Sequence, residues 1–186
     1  SMKKLPLIFL FIGLVVGFIS CSEEDENWNE YKEWRNTNNA WLTEQGKRLN
    51  PDGTRYYDTI RPDYDKGQYV LAHWFNDRKL TQGNLKPYYT STVDVKYIGR
   101  LYNDEPFDSS YTLMADYGDS IFRTKVGRVI AGWTILLQEM HVGDSVEVLI
   151  PYQSAYGASG SGSIPPYSNL KFGVKLVNVP FWEIEE

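Results

Sequence analysis

The chain has 186 residues, 24 acidic against 19 basic, and a net charge of −5. A chain of that sign repels polyanions, which argues against nucleic acid as a partner. Its single cysteine, Cys21, excludes an internal disulfide framework and a thiolate metal site.

Residues 1–21 read as a lipoprotein signal. Lys3-Lys4 makes a short positive start, and Leu7 to Ile19 is an apolar run too short for a membrane span. Ile19-Ser20-Cys21 resembles a bacterial lipobox, in which Cys21 becomes the acylated first residue. Removing residues 1–20 takes away Lys3 and Lys4, so 19 basic residues become 17 against 24 acidic ones. Attachment to a membrane is therefore expected through lipid on Cys21 and not through charge. The expected location is the envelope of a Gram-negative-type bacterium, at the outer membrane, facing the periplasm or the surface. Ser22-Glu23-Glu24-Asp25-Glu26 reads as a solvated tether. An acidic run at that place also resembles a signal for surface display in some Gram-negative groups.

Residues 22–51 form the tether and a helical extension. From Asn27 to Leu49 a broad stripe of Tyr31, Trp34, Trp41 and Leu49 predicts helix, with a break at Asn36, Asn38 and Asn39, which are poor helix formers. Trp28, Trp34 and Trp41 need cover, either from the main domain or from a separate ligand. Asn50-Pro51-Asp52-Gly53 is a turn and the boundary of a domain over 52–180, with 181–186 as a tail. Arg55 to Ile60 reads as a strand. Gln68 to Phe75 is apolar on both alternating sets, as in a strand buried on both faces. Asn76 to Pro87 is polar and turn-rich. Val93, Val95, Tyr97 and Leu101 alternate with Asp94, Lys96, Ile98 and Arg100, a further strand.

Trp133, Leu136, Leu137 and Met140 recur at helical spacing and predict a short amphipathic helix from Gly132 to Met140. Gly143-Asp144 breaks it, and Ser145 to Ile150 alternates as a strand ending at Pro151. A glycine- and serine-rich run over 157–163 leads to the stiff Ile164-Pro165-Pro166. Leu170 to Val177 alternates as the last strand.

Taken in order, Val129-Ile130-Ala131-Gly132-Trp133, Ala155-Tyr156-Gly157-Ala158, Ile164-Pro165-Pro166 and Leu170-Lys171-Phe172 resemble the FKBP family of peptidyl-prolyl cis-trans isomerases. Upstream, Val95 to Leu101 and Pro106-Phe107-Asp108-Ser109-Ser110 continue the likeness. The resemblance implies an α+β fold, an antiparallel sheet wrapped around one short helix, with the N-terminal helical segment outside it. The chain then carries an added strand and loop over 68–92. The resemblance assigns Trp133 to the floor under a proline ring and Tyr97, Phe107, Phe122, Val129, Ile130 and Phe172 to the walls. It makes the Ile130 N–H and the Tyr156 hydroxyl donors to substrate carbonyls. Asp108 becomes a carboxylate beside the pocket, although Phe-Asp-Ser-Ser is also turn chemistry. Ile164 would stand on the loop that closes over the substrate. Three departures are visible: Ser120 stands where relatives commonly carry an aromatic, Gln153 where they often carry an acid, and the segment before Ile164 is shorter by about one residue, with Gly160-Ser161-Gly162-Ser163 in place of bulkier side chains.

The implied activity is isomerisation of X-Pro bonds in proline-containing polypeptides, assisting folding outside the cytoplasm, with tacrolimus-like or rapamycin-like macrolides as ligands. No cofactor and no metal is expected. His73 and His141 lack partners at ligand spacing, no phosphate-binding glycine motif follows a strand, and no Gly-x-Ser-x-Gly is present. The alternatives are a non-catalytic peptide-binding or chaperone module, and a structural part of an envelope complex.

Overall fold

A computed structural model describes residues 26–182 apart from 113, 116 and 117. The signal, Cys21, the acidic residues before Glu26 and the end of the tail lie outside the described residues. Among those described, no helix is long and apolar enough to cross a membrane.

A helical turn at 26–30 leads into α1 (Lys32–Lys47). There follow β1 (Asp58–Ile60), β2 (Val70–Trp74), β3 (Thr92–Leu101), β4 (Pro106–Ser109), β5 (Met114–Ala115), β6 (Gly118–Asp119), β7 (Phe122–Lys125), α2 (Ala131–Leu137), β8 (Ser145–Ile150) and β9 (Leu170–Phe181). The main sheet runs β1-β2-β8-β9-β3-β4, with β7 also paired to β3, and β5 and β6 form a separate pair. Every pairing is antiparallel. β4 and β7 share the outer edge of β3: Ile98 to Arg100 face β4, and Thr92 to Val95 face β7. That division lets β3 hold two further strands, one along each half of its outer edge.

Alternation decides which face is inside. Val93, Val95, Tyr97 and Leu101 of β3 are buried with Val146, Val148 and Ile150 of β8 and Leu170, Phe172, Val174 and Leu176 of β9. α2 lies on that face and buries Leu136 and Leu137, with Met140 just beyond its end. Its close approach depends on Gly132, where a Cβ would come within 2.4 Å of Ile150 Cγ2. Gly132→Ala is expected to lower stability by about 1–3 kcal/mol through overpacking, read from the denaturant midpoint.

α1 covers part of the opposite face. Leu42 packs there with Tyr57, Leu71 and Leu149 in a second, smaller core. The expected break at the asparagines is absent, and the only interruption falls at Tyr31. Asn38 is fully buried, donates its Nδ2 to the Trp34 carbonyl at 2.9 Å, and accepts two hydrogen bonds from Asn169. A tertiary clamp thus outweighs weak helix propensity. Trp34 and Trp41 pack on Tyr102 of the main domain.

The strand expected over 55–60 is shorter, because Arg55 forms an isolated bridge to Leu49 and the Tyr56 N–H donates to the Arg48 carbonyl at 3.0 Å. The stretch read as an added strand supplies β2, an interior strand between β1 and β8. Burial on both of its faces extends over Val70, Leu71 and Ala72. His73 stacks on Tyr56 at 3.8 Å, and Phe75 is exposed.

Candidate active site

The first turn of α2 and residues of β3, β4, β7 and β9 converge on a cavity of about 470 Å³ lined by Tyr97, Phe107, Asp108, Phe122, Arg128, Val129, Ile130, Trp133, Tyr156 and Phe172. Val129 and Ile130 enter α2 in extended conformation, and the Ile130 carbonyl accepts from the N–H groups of Trp133 at 2.9 Å and Thr134 at 3.2 Å. That cap starts the helix one turn before Trp133 and sets the indole at the base of the cavity.

Three rings stand almost upright around the indole. Tyr97 of β3 meets it at 5.0 Å and 89°, Phe172 of β9 at 5.3 Å and 84°, and Phe122 of β7 at 6.5 Å and 79°. Edge-to-face contact is the favoured arrangement for such quadrupoles. Phe107 of β4 extends the wall through Phe172 at 5.5 Å and 90°. Trp133 is only 4% exposed, and its Nε1–H has no hydrogen-bond partner among the described residues.

The polar groups sit at the rim. The Tyr97 hydroxyl donates to Asp108 Oδ2 at 2.6 Å, and Asp108 Oδ1 accepts the Ser109 N–H at 2.8 Å. Burial, then the bond to Asp108 and its negative charge, push the Tyr97 hydroxyl well above the ordinary phenol range. Burial and the Asp108 charge also push up Tyr156. Both phenols therefore stay protonated donors through neutral pH. Tyr156 is 39% exposed, on the turn after β8, where the Gly157 N–H closes on the Tyr152 carbonyl at 2.9 Å. Neither its hydroxyl nor the Ile130 N–H has a hydrogen-bond partner among the described residues.

Of the residues the sequence singled out, the structure brings Tyr97, Phe107, Asp108, Phe122, Val129, Ile130, Trp133, Tyr156 and Phe172 around one cavity. Ile164 is not among the lining residues but is buried in the core cluster that also holds Tyr97, Trp133 and Phe172, and its backbone exchanges bonds with Ser161 at 2.8 and 2.9 Å. Cys21 lies outside the described residues. Arg128, exposed at the mouth, went unnoticed in the sequence; its only signal is its place directly before Val129-Ile130.

A sheet folded round one helix, with an aromatic box over that helix's tryptophan, defines an FKBP-like domain. The profile of the FKBP-type peptidyl-prolyl cis-trans isomerases matches residues 83–177, half of the chain. The chain belongs to that family. It is 41% identical over 99 residues to a macrophage infectivity potentiator of Trypanosoma cruzi, a match covering 52% of this chain and 47% of that protein. Among solved structures, it is similar to a peptidyl-prolyl cis-trans isomerase of Pseudomonas syringae (26% identity, TM-score 0.60, 80% of this chain and 95% of that one). FkpA of Escherichia coli shares the fold at 24% identity and TM-score 0.55, over 98% of this chain and 76% of that one. The chain spans less than half the length of the curated relatives it matches.

Proposed function

We propose that this protein is a peptidyl-prolyl cis-trans isomerase acting on proline-containing polypeptides outside the cytoplasm, held at the outer membrane by lipid on Cys21. The observation that carries the reading is the indole of Trp133 at the base of an open cavity, ringed by upright aromatic walls with hydrogen-bond donors at the rim.

Rotation about a peptide bond is opposed by about 18–20 kcal/mol of lost resonance. Before proline the two end states differ by only about 0.5–1 kcal/mol, so the task is kinetic. The twisted amide is less dipolar than the planar one. Moving it from water into an apolar box costs the transition state less than the ground state, which is differential binding. The proline ring rests on Trp133, with the Ile130 N–H and the Tyr156 hydroxyl holding neighbouring carbonyls. Asp108 fixes Tyr97 from the rim. No nucleophile or proton transfer is required. Tacrolimus-like and rapamycin-like macrolides occupy the same box as competitors.

A protease-coupled assay on short proline peptides, with tacrolimus as competitor, tests this directly. A rate no faster than the uncatalysed one at micromolar protein rules the activity out, and peptide binding without turnover or a proline requirement identifies a non-catalytic module instead. Asp108→Val removes the acceptor of the Tyr97 hydroxyl, and kcat/KM is expected to fall severalfold in a folded protein, on the scale of about 1 kcal/mol for one lost hydrogen bond. Unchanged turnover in this variant refutes the role given to Asp108.

A further inference from the structure

On the face of the sheet opposite the cavity, β3 and β9 place cation against cation. Lys96 is the cross-strand partner of Lys175, and Arg100 that of Lys171. Like charges directly opposite one another destabilise a sheet. Lys171 reaches Asp104, but Lys96, Arg100 and Lys175 have no ion-pair partner among the described residues. The acids that share this face are engaged by other groups: Asp94, two residues before Lys96, is held by Arg123 at 2.6 and 2.8 Å, and Glu147, paired across the strands with Gly173, accepts the Tyr57 hydroxyl at 2.5 Å. In a chain of net charge −5, this cluster runs against the overall sign.

Between the two cationic pairs sit Ile98 and Gly173, opposite each other. They floor a shallow groove of about 190 Å³ whose lining includes Phe75 and Tyr111, both exposed. Gly173 lies inside a twelve-residue strand, where glycine costs about 0.5–1 kcal/mol relative to alanine. A Cβ built there meets nothing within 4 Å, and its φ is not in the left-handed region. Neither packing nor backbone conformation within the chain calls for a glycine. A glycine in a strand interior also marks a place where another backbone comes close.

We propose that this groove binds an extended acidic segment of another polypeptide, its backbone passing over Gly173 and its carboxylates meeting Lys96 and Lys175 at one end and Arg100 at the other. Charge complementarity selects the acidic partner, and the bare glycine floor selects an extended chain. Lys96 and Arg100 are four residues apart on one strand, about 13 Å. An extended segment spans that distance with acids at positions i and i+4, both on the same side. The surface is separate from the isomerase cavity and stands or falls independently of it.

The test is fluorescence anisotropy of the full chain with a labelled, proline-free peptide, Gly-Glu-Ala-Gly-Ala-Glu-Gly, beside its lysine-for-glutamate counterpart. The acidic peptide is expected to bind at least about tenfold tighter, and to weaken as ionic strength rises. Lys96→Glu with Lys175→Glu is expected to remove that preference. Gly173→Val fills open space in a strand, so its Tm is expected to hold or rise while binding falls at least about tenfold. Equal binding of the two peptides, or full binding by Gly173→Val, overturns the proposal. Tighter binding of an oligonucleotide, polyphosphate or anionic lipid vesicles than of the acidic peptide overturns the polypeptide assignment.

Discussion

Trp133→Leu is expected to lower kcat/KM on short proline peptides by at least about tenfold while the protein stays folded. The floor of the cavity is a flat ring held by Tyr97, Phe122 and Phe172. A proline ring lying on it buries apolar surface on the scale of a small side chain, worth about 1.5 kcal/mol or more. Each 1.4 kcal/mol, roughly, is tenfold in rate. Leucine is branched and narrower, so both the floor and the spacing of the walls are lost. The variant also loses stability, by less than the roughly 3–5 kcal/mol of a Trp-to-Ala change. Leu136→Ala separates the two effects. Leu136 is fully buried in the same helix but does not line the cavity, and its truncation is expected to cost about 2–5 kcal/mol with kcat/KM close to the parent value. Trp133→Phe keeps a flat floor and removes an indole N–H that has no hydrogen-bond partner among the described residues. Its rate is expected to stay within a few-fold of the parent. If Trp133→Leu turns over like the parent, the floor is elsewhere.

How far such a site can be read without coordinates depends on where its constraints lie. The α2 region was legible because helical periodicity and the Val-Ile-Ala-Gly-Trp cap are local; the helix ends at Leu137 and not Met140, where tighter turns take over. β3, β8 and the start of β9 were legible from alternation over buried faces. What was not legible depends on distant partners. Asn38 looked like a helix breaker because Asn169 lies 131 residues away. The reciprocal bonds between Ile164 and Ser161 that shape the loop carry no signature in a glycine- and serine-rich run. Arg55 and Tyr56 looked like strand, although local bonds to Leu49 and Arg48 withdraw them from the sheet. Arg128 escaped because an arginine beside an apolar pocket has no pattern until the pocket exists.

Asn38→Leu is expected to loosen the turn that carries Tyr156, although Asn38 is on α1 and does not line the cavity. Asn38 Oδ1 accepts the Asn169 N–H at 2.9 Å, and the Asn38 carbonyl accepts Asn169 Nδ2 at 2.8 Å. Asn169 Oδ1 in turn accepts the Tyr152 N–H at 2.8 Å, at the start of the turn that presents Tyr156. The same stretch is held by the Arg35 guanidinium, 3.3 Å from the Trp28 ring and 5.1 Å from Tyr167, and by Trp34 Nε1–H on Ser168 Oγ at 3.0 Å. Leucine matches asparagine in shape but leaves the buried Asn169 N–H without its acceptor, costing about 1–3 kcal/mol. A merely covering α1 would share that loss among Leu42, Leu71 and Leu149. A strut would instead show it as faster amide exchange over 152–169 and a higher KM for proline peptides, with kcat changed less. Exchange that quickens only in α1, with KM unmoved, would show that the extension shields the sheet and leaves the site alone. The Asn38–Asn169–Tyr152 chain of hydrogen bonds favours the strut, because it runs from the N-terminal helix to the backbone that sets Tyr156.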